Sequence, residues 1–178
     1  MYFDKLTKLI EGLDYSSIDQ AIAIIEDAWS NGNQIITLGN GGSSLTALHF
    51  IADWNKSIFM RSNRAFRGHC LVDNIGLIMA YANDISFEDV FVEQLKNMLL
   101  PGDLVIAISG SGNSENVIRA VEFANNKGAI TLGLCGYNGG KLRSLAQHCI
   151  WVNVNDMQLS EDVHAVFGHI VTQCLCQL

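Results

Sequence analysis

Two short segments rich in serine and glycine carry the groups best suited to binding an anion. The first loop is Gly-Asn-Gly-Gly-Ser-Ser at 39–44, and the second loop is Ser-Gly-Ser-Gly-Asn-Ser at 109–114. Each follows a largely apolar run of five residues, which is typical of a strand that leads into a helix. Free amides and hydroxyls at a helix N-terminus bind phosphate without help from Lys or Arg. The two loops therefore predict a site for a small phosphorylated ligand.

Neither loop matches a known nucleotide-binding motif. A glycine-rich turn between a strand and a helix also arises from tight packing alone, and neither segment is a Walker A or a GxGxxG sequence. No lysine ends either loop, which disfavours nucleoside triphosphates. Because both loops follow predicted strands of one sheet, we expect them at the same edge, where a sugar phosphate would bind.

Groups that bind metals or transfer protons lie on two predicted helices. His49 and Asp53 are four residues apart after the first loop, so their side chains share a helix face. Glu161 and His169 lie on the C-terminal helix, about 80° apart around it and roughly 12 Å apart along it. Both reach one ion only if the ion lies midway, or if one of them comes from a neighbouring subunit. Two imidazoles and two carboxylates would suit zinc and would supply an acid/base pair.

Spacing alone leaves a plainer interpretation open. The two carboxylates are equally compatible with solvated helix faces, and the histidines with hydrogen-bonded positions in the core. On a helix His164 points about 140° away from His169, so it does not share that role. We expect structural roles for His69 and His148, which have no acidic neighbour at useful spacing.

The elements that must position these groups alternate between strand and helix. Strands are predicted at 34–38, 69–72, 104–108, 129–135 and 149–154, with amphipathic helices between them. Strands that are apolar on both faces are typical of a parallel sheet covered by helices on both sides. We therefore expect one doubly wound α/β domain over residues 1–178, with an N-terminal helical segment at about 1–31. Ser16 or Ser17 is the predicted N-cap of the second helix.

Composition and charge restrict the class of function. The formal net charge of −7 argues against nucleic-acid binding, which needs a basic face. No apolar run reaches the roughly 18 residues of a membrane span, and the first ten residues carry charges where a signal peptide has its apolar core. We expect a cytoplasmic protein with reduced cysteines. A hydrophobic fraction of 49% predicts that a second subunit covers apolar surface.

One basic segment follows the helix of the first loop. It contains Arg61, Arg64 and Arg67. We expect a solvated loop, and the alternative is that one arginine lies over the phosphate bound by a neighbouring subunit.

Several motifs, in their order and spacing, resemble the SIS (sugar isomerase) domain family, and within it the phosphoheptose isomerase family. They are the first loop followed by His49, the segments 82–84 and 87–91, and the segment 108–114. The resemblance extends from about residue 17 to the C-terminus. It implies a five-stranded parallel sheet flanked by helices, assembled as a homotetramer with active sites at the subunit interfaces.

The resemblance also implies an activity and a set of site residues. The reaction would convert sedoheptulose 7-phosphate, or a similar sugar phosphate, to D-glycero-D-manno-heptose 7-phosphate. Zn²⁺ would be bound by His49, Asp53, Glu161 and His169, with Asp53 and His169 transferring protons. The implied substrate-binding residues are Asn40, Gly41, Gly42, Ser43, Asp53, Asn83, Asp84, Ser109, Gly110, Ser111, Ser114 and Glu161.

The chain departs from the family pattern at some of these positions. The family has Glu in place of Asp53, Gln in place of Glu161 and Thr in place of Gly110, and it has an arginine where this chain has Ser57. The shorter Asp53 would open a proton-transfer distance by roughly 1 Å, and Glu161 would add negative charge beside the metal. These changes predict an altered substrate or weaker catalysis.

A non-catalytic binding module of the same fold is the alternative function. Such a module would bind a replication initiator or sense a sugar phosphate without turnover. The relative of this kind lacks the acidic and histidine residues at the positions of Asp53 and His169. Their presence here favours the enzyme.

Overall fold

The computed structural model describes residues 1–177 and contains one sheet of five parallel strands. In chain order these are β1 Ile35–Gly39, β2 Gly68–Cys70, β3 Leu104–Ser109, β4 Ile130–Cys135 and β5 His148–Trp151. Their order across the sheet is β2-β1-β3-β4-β5. The predicted α/β fold with a five-stranded parallel sheet is confirmed.

Helices connect the strands and cover the sheet. They are α1 Tyr2–Glu11, α2 Tyr15–Ser30, α3 Gly41–Asp53, α4 Phe59–Ser62, α5 Ile75–Asp84, α6 Val90–Met98, α7 Glu115–Asn126, α8 Leu142–Leu145 and α9 Met157–Cys176. A π-helical turn, Trp54–Ile58, joins α3 to α4. Within residues 1–177, none of the helices combines the length and the apolar character that crossing a membrane requires.

The two faces of the sheet bury two separate apolar cores. Ile35 and Ile106 pack on the face that α2, α3 and α9 cover, whereas Ile36 and Val105 pack on the face that α6 and α7 cover. Side chains alternate between the faces along each strand, so strands that are buried on both sides need apolar residues at every position. The double-sided covering by helices is what the apolar strands predicted.

The N-cap of α2 differs from the prediction. Asp14, not Ser16 or Ser17, precedes the helix, and its Oδ1 atom accepts hydrogen bonds from the amides of Ser16 at 3.1 Å and Ser17 at 3.4 Å. A carboxylate satisfies two of the free amides at the helix start, and its charge suits the positive end of the helix dipole. The helix therefore begins two residues earlier than predicted.

The three arginines of the basic segment are exposed, as predicted, but they do not all lie in a loop. Arg61 lies in the last turn of α4, and its Nε atom donates to the Cys176 carbonyl oxygen at 3.3 Å. The other two arginines lie between α4 and β2 and are also hydrogen-bonded. Arg67 donates to the carbonyl oxygen of Gly32 at 2.9 Å, and Arg64 donates to that of Ser30. These bonds attach the segment to the C-terminal end of α2, where carbonyl groups lack partners within the helix.

Candidate functional site

The two Ser/Gly loops meet at the carboxyl edge of the sheet and line one cavity. Gly39 at the end of β1 pairs with Ile108 of β3, which brings the loops side by side. The cavity has a volume of about 280 Å³. We call it the loop cavity. Its lining comprises Asn40, Gly41, Gly42, Ser43, Ile108, Ser109, Gly110, Ser111, Ser114, Met157 and Glu161. All the substrate-binding residues predicted on the two loops are therefore brought together.

Helix N-termini and hydroxyl groups line the loop cavity, which is a chemistry that suits an anion. Asn40 is the N-cap of α3 and Ser114 is the N-cap of α7, so the free amides of both helices begin at this cavity. The Ser109 hydroxyl lies 3.4 Å from that of Ser114 and accepts from the amide of Gly112 at 3.2 Å. Such an arrangement of donors binds a phosphate group.

Three of the four implied metal ligands lie together at the junction of α3 and α9. Their ligand atoms, from His49, Asp53 and His169, are all within 4.8 Å of one another. The His49 Nε2 atom is 3.3 Å from Asp53 Oδ2, and the rings of the two histidines are 5.1 Å apart between centroids. Side chains of His49 and Asp53 are 50% and 39% exposed, so the cluster is open to solvent. Two imidazoles and a carboxylate are a donor set that suits zinc.

Glu161 lies apart from this cluster and close to the first loop. Its Oε1 atom is 2.6 Å from the place where a side chain at Gly42 would begin, so the carboxylate occupies space that only a glycine leaves free. Glu161 also lines the loop cavity. Two helical turns separate it from His169, which is about 12 Å along the axis. Within one chain, Glu161 therefore belongs to the loop cavity and not to the His49/Asp53/His169 cluster.

Asn83 and Asp84 lie on exposed surface at the C-terminal end of α5. Asn83 donates to the Asp84 carboxylate at 2.8 Å, and neither residue lines the loop cavity. A substrate contact from them requires the loop cavity of another subunit.

His164 is the most buried of the three histidines outside the cluster. It is 1% exposed, and neither ring nitrogen has a hydrogen-bond partner among residues 1–177. Burial lowers the pKa of His164 to about 4, with a smaller opposing effect from the Cys135 backbone, so the ring is neutral at pH 7. It takes no part in the cluster, as the helix geometry predicted. His69 is exposed and His148 is half-buried.

Two residues of the site were missed by sequence reasoning. Met157 lines the loop cavity, with its sulfur against Gly110. Asn116 is 2% exposed, and its amide exchanges two hydrogen bonds with that of Asn40. An asparagine in the first turn of a predicted helix gives no sequence signal for the second residue, because its burial is known only from the structure.

An apolar groove of about 320 Å³ adjoins the first loop on the side of α5. Large apolar side chains are exposed in and around it: Leu45 at 67%, Ile75 at 67%, Met79 at 66% and Phe87 at 54%. An exposed apolar patch of this kind is typical of a protein–protein interface.

Comparisons with known proteins agree with this geometry. The sequence profile described as SIS domain matches residues 1–136. The phosphoheptose isomerase of Aquifex aeolicus is 36% identical over 155 residues, which are 87% of this chain and 78% of that protein. The phosphoheptose isomerase of Aliarcobacter butzleri is 34% identical over 172 residues, 97% of this chain and 90% of that protein.

A solved structure shares the whole fold. It is the phosphoheptose isomerase from Neisseria gonorrhoeae, with a TM-score of 0.89 and 25% sequence identity over 99% of this chain and 96% of that one. The matching fold, the Ser/Gly loops at one sheet edge and the named relatives lead to a single assignment. The chain belongs to the SIS domain family and, within it, to the phosphoheptose isomerases.

Proposed function

We propose that this chain is an aldose–ketose isomerase of sugar phosphates, with sedoheptulose 7-phosphate as the first candidate substrate. The observation that carries the proposal is the convergence of His49, Asp53 and His169 from two helices, beside a cavity made of two anion-binding loops. A binding module needs only the loops, whereas an isomerase also needs groups that move protons.

The phosphate group of the substrate would bind in the loop cavity. Hydroxyls of Ser109, Ser111 and Ser114 line it, together with the N-termini of α3 and α7. The dipoles of these helices replace the Lys or Arg that phosphate sites often contain. The sugar chain would then extend past Glu161 toward the cluster, where its first two carbons react.

Asp53 on α3 and His169 on α9 would transfer the protons. The Asp53 carboxylate takes the proton from C1 of the ketose, and the resulting enediol receives it back at C2 to give the aldose. His169 moves the proton that shifts between the oxygens of the same two carbons. Both groups then return to their starting protonation, as one turnover requires.

A divalent metal fits the donor set of the cluster. His49, Asp53 and His169 would hold it. Glu161, the further ligand that the family resemblance implies, lies apart from these three within one chain. When bound, zinc would polarise the two substrate oxygens as a Lewis acid. The exposed side chains of His49 and Asp53 leave room for both a ligand and a neighbouring subunit.

A homotetramer with active sites at its interfaces is part of this proposal. The groove lined by Leu45 and Ile75 is exposed beside the first loop, so a second copy seated there would close the site. Asn83 and Asp84, on the same surface, would then contact the substrate of the neighbouring subunit. The proposal also includes a cytoplasmic location for the enzyme.

The test is turnover of sedoheptulose 7-phosphate by the zinc-loaded protein, followed as aldose product. Asp53→Asn and His169→Ala should each lower kcat by roughly 100-fold or more, because each removes a proton-transfer group. Glu122→Gln, a charge change on the exposed face of α7, should leave kcat unchanged. No turnover of this sugar or of a panel of ketose phosphates, combined with retained phosphate binding, would favour the non-catalytic binding module.

A further inference from the structure

A second cavity, larger than the loop cavity, lies beyond the carboxyl ends of β4 and β5. Its volume is about 780 Å³, within the range of sites for small molecules. Tyr137, Arg143, Trp151, Asn153 and Asn155 form most of its walls. None of these residues belongs to the isomerase site described above. We call this space the outer cavity.

One flexible side chain separates the two cavities. Met157 lines both of them, and so does Ser111 of the second loop. The Met157 sulfur lies directly against Gly110, at the boundary between them. A methionine side chain adapts readily to its surroundings, so a ligand on one side affects the shape of the other.

An oriented guanidinium group gives the outer cavity its charge. Arg143 lies 3.5 Å above the centre of the Trp151 ring, and the ring is itself fixed by a 3.0 Å hydrogen bond from its Nε1 atom to the Tyr137 carbonyl oxygen. Within residues 1–177 the guanidinium has neither a hydrogen bond nor an ion pair to another group. None of the described residues that line the cavity carries a carboxylate. A positive pocket in a chain of net charge −7 selects an anion.

Side-chain amides and an aromatic ring make the outer cavity suitable for a ligand with many hydroxyl groups. Asn153 and Asn155 are exposed, and no hydrogen bond within the described residues engages their side chains. Each amide offers both donors and an acceptor, which is what hydroxyl groups require. The ring of Tyr137 supplies a flat apolar face for the carbon side of a sugar. An anionic, polyhydroxylated ligand matches all three features.

The segment that leads into Arg143, and so supports one wall of the outer cavity, is hydrogen-bonded to the second loop. The amides of Lys141 and Leu142 donate to Asn113 Oδ1 at 3.1 Å and to the Gly112 carbonyl oxygen at 3.0 Å. A side chain at Gly112 would overlap the backbone of Gly139, so these two segments are in direct contact. An occupant that moves the wall therefore also moves the phosphate-binding hydroxyls.

We propose that the outer cavity is a second binding site for a phosphorylated sugar, separate from the loop cavity and coupled to it through Met157 and the second loop. Arg143 binds the phosphate, and Asn153 and Asn155 bind the hydroxyls. Because the proposal concerns binding alone, it does not depend on the isomerase activity.

Calorimetry with glucose 6-phosphate tests the proposal on the full chain, with glucose and inorganic phosphate as partial probes. The wild-type protein should bind two equivalents of glucose 6-phosphate per chain. Arg143→Met/Asn155→Ala should lose one of them, with affinity falling roughly 10- to 100-fold, since a charged hydrogen bond is removed. Ser109→Ala/Ser114→Ala should lose the other. Lys141→Met removes a nearby positive charge outside the cavity wall and should keep both.

Retained binding in the loop cavity shows that the Arg143→Met/Asn155→Ala protein is folded. The proposal is overturned if the wild-type protein binds a single equivalent, or if this variant still binds two. It is also overturned if the variant changes the oligomeric state without changing binding, because the cavity is then a subunit contact. Crystals of the wild-type protein with glucose 6-phosphate should show the ligand against Arg143, and crystals with the ligand in the loop cavity alone would refute it.

Discussion

Gly168 of α9 lies against the ring of Phe50 of α3 with no room for a side chain between them. A Cβ atom at Gly168 would overlap two carbons of that ring, and the Gly168 carbonyl oxygen accepts a 3.1 Å hydrogen bond from Trp54 Nε1. Phe50 and Gly168 are each next in sequence to a histidine of the cluster. His49 precedes Phe50, and His169 follows Gly168. The close approach of the helices at this contact therefore sets the distance between the two imidazoles.

Gly168→Ala should separate the helices and weaken the cluster. Alanine is favoured over glycine within a helix by about 1 kcal/mol, yet overpacking of a filled core costs about 1–3 kcal/mol, so we expect net destabilisation. Urea unfolding measures the stability, and zinc per chain measures the cluster. The double variant Phe50→Leu/Gly168→Ala should recover part of the stability and part of the zinc binding, because leucine is smaller than phenylalanine and leaves space for the alanine. Val166→Ala, on the exposed side of α9, is the matched control, and an equally large effect there would contradict the explanation.

The side-chain amides of Asn40 and Asn116 form a reciprocal pair, with hydrogen bonds of 2.8 and 3.0 Å. Asn116 Oδ1 also accepts from the amide of Val117 at 2.9 Å. The pair joins the start of α3 to the first turn of α7. It therefore holds the two Ser/Gly loops at a fixed separation.

Asn116→Ala should loosen the two loops and raise KM for the sugar phosphate more than it lowers kcat. The variant removes two hydrogen bonds and leaves the half-buried amide of Asn40 without its partner, so the free energy of unfolding should fall by about 1 kcal/mol. Asn126→Ala, at the exposed end of α7, should change neither quantity. Asn40→Ala completes a double-mutant cycle. The stability losses of the two single variants, added together, should exceed the loss measured for the double variant, because the two side chains share the same hydrogen bonds. Strict additivity would show that the pair contributes nothing.

Local sequence patterns predicted the parts of the site that depend on local geometry. The i, i+4 spacing placed His49 beside Asp53, and the apolar runs predicted strands whose carboxyl ends bring the loops together. The contact of Gly168 with Phe50 and the pairing of Asn116 with Asn40 depend on how far apart two helices pack. That distance is set by many side chains at once, so neither contact has a signature in the sequence.

The position of Glu161 is a second feature that the sequence does not indicate. Helix spacing alone indicated that Glu161 and His169 would be far apart along α9, but not which neighbour each would meet. The structure brings His169 to α3 and Glu161 to Gly42. The deciding fact is the absence of a side chain at Gly42, and a glycine-rich loop has too many glycines for its sequence to indicate which one makes room.

Glu161→Gln should tighten the binding of inorganic phosphate in the loop cavity. The Glu161 carboxylate is part of the cavity wall, and its negative charge opposes that of the phosphate. Removing one charge at a separation of about 5 Å in a solvated site is worth about 1 kcal/mol, or roughly fivefold in Kd. Calorimetry in the presence of a chelator measures this without a contribution from metal. Glu122→Gln makes the same chemical change on the surface and should leave Kd unaltered. Weaker binding in Glu161→Gln would mean that the carboxylate orders the first loop.

His164 should make the protein less stable on the acid side of neutrality. Its pKa is lowered from 6.5 to about 4 by burial, so the folded chain binds fewer protons than the unfolded chain between these values. The free energy of unfolding is therefore unaffected above pH 6.5 and falls as the pH drops toward 4. At about 1.4 kcal/mol per pH unit, the total loss is on the order of 3 kcal/mol.

Urea unfolding of wild-type protein and of His164→Leu, at intervals from pH 7.5 to 4.5, measures this contribution. Leucine fills a similar volume and carries no proton, and within residues 1–177 neither ring nitrogen of His164 makes a hydrogen bond that the substitution would remove. The variant should match or exceed the wild-type stability at pH 7.5 and should lose less of it on acidification. His164→Met repeats the test with a more adaptable side chain. If both variants follow the wild-type curve in parallel, other groups cause the acid sensitivity and the ring of His164 is protonated without cost.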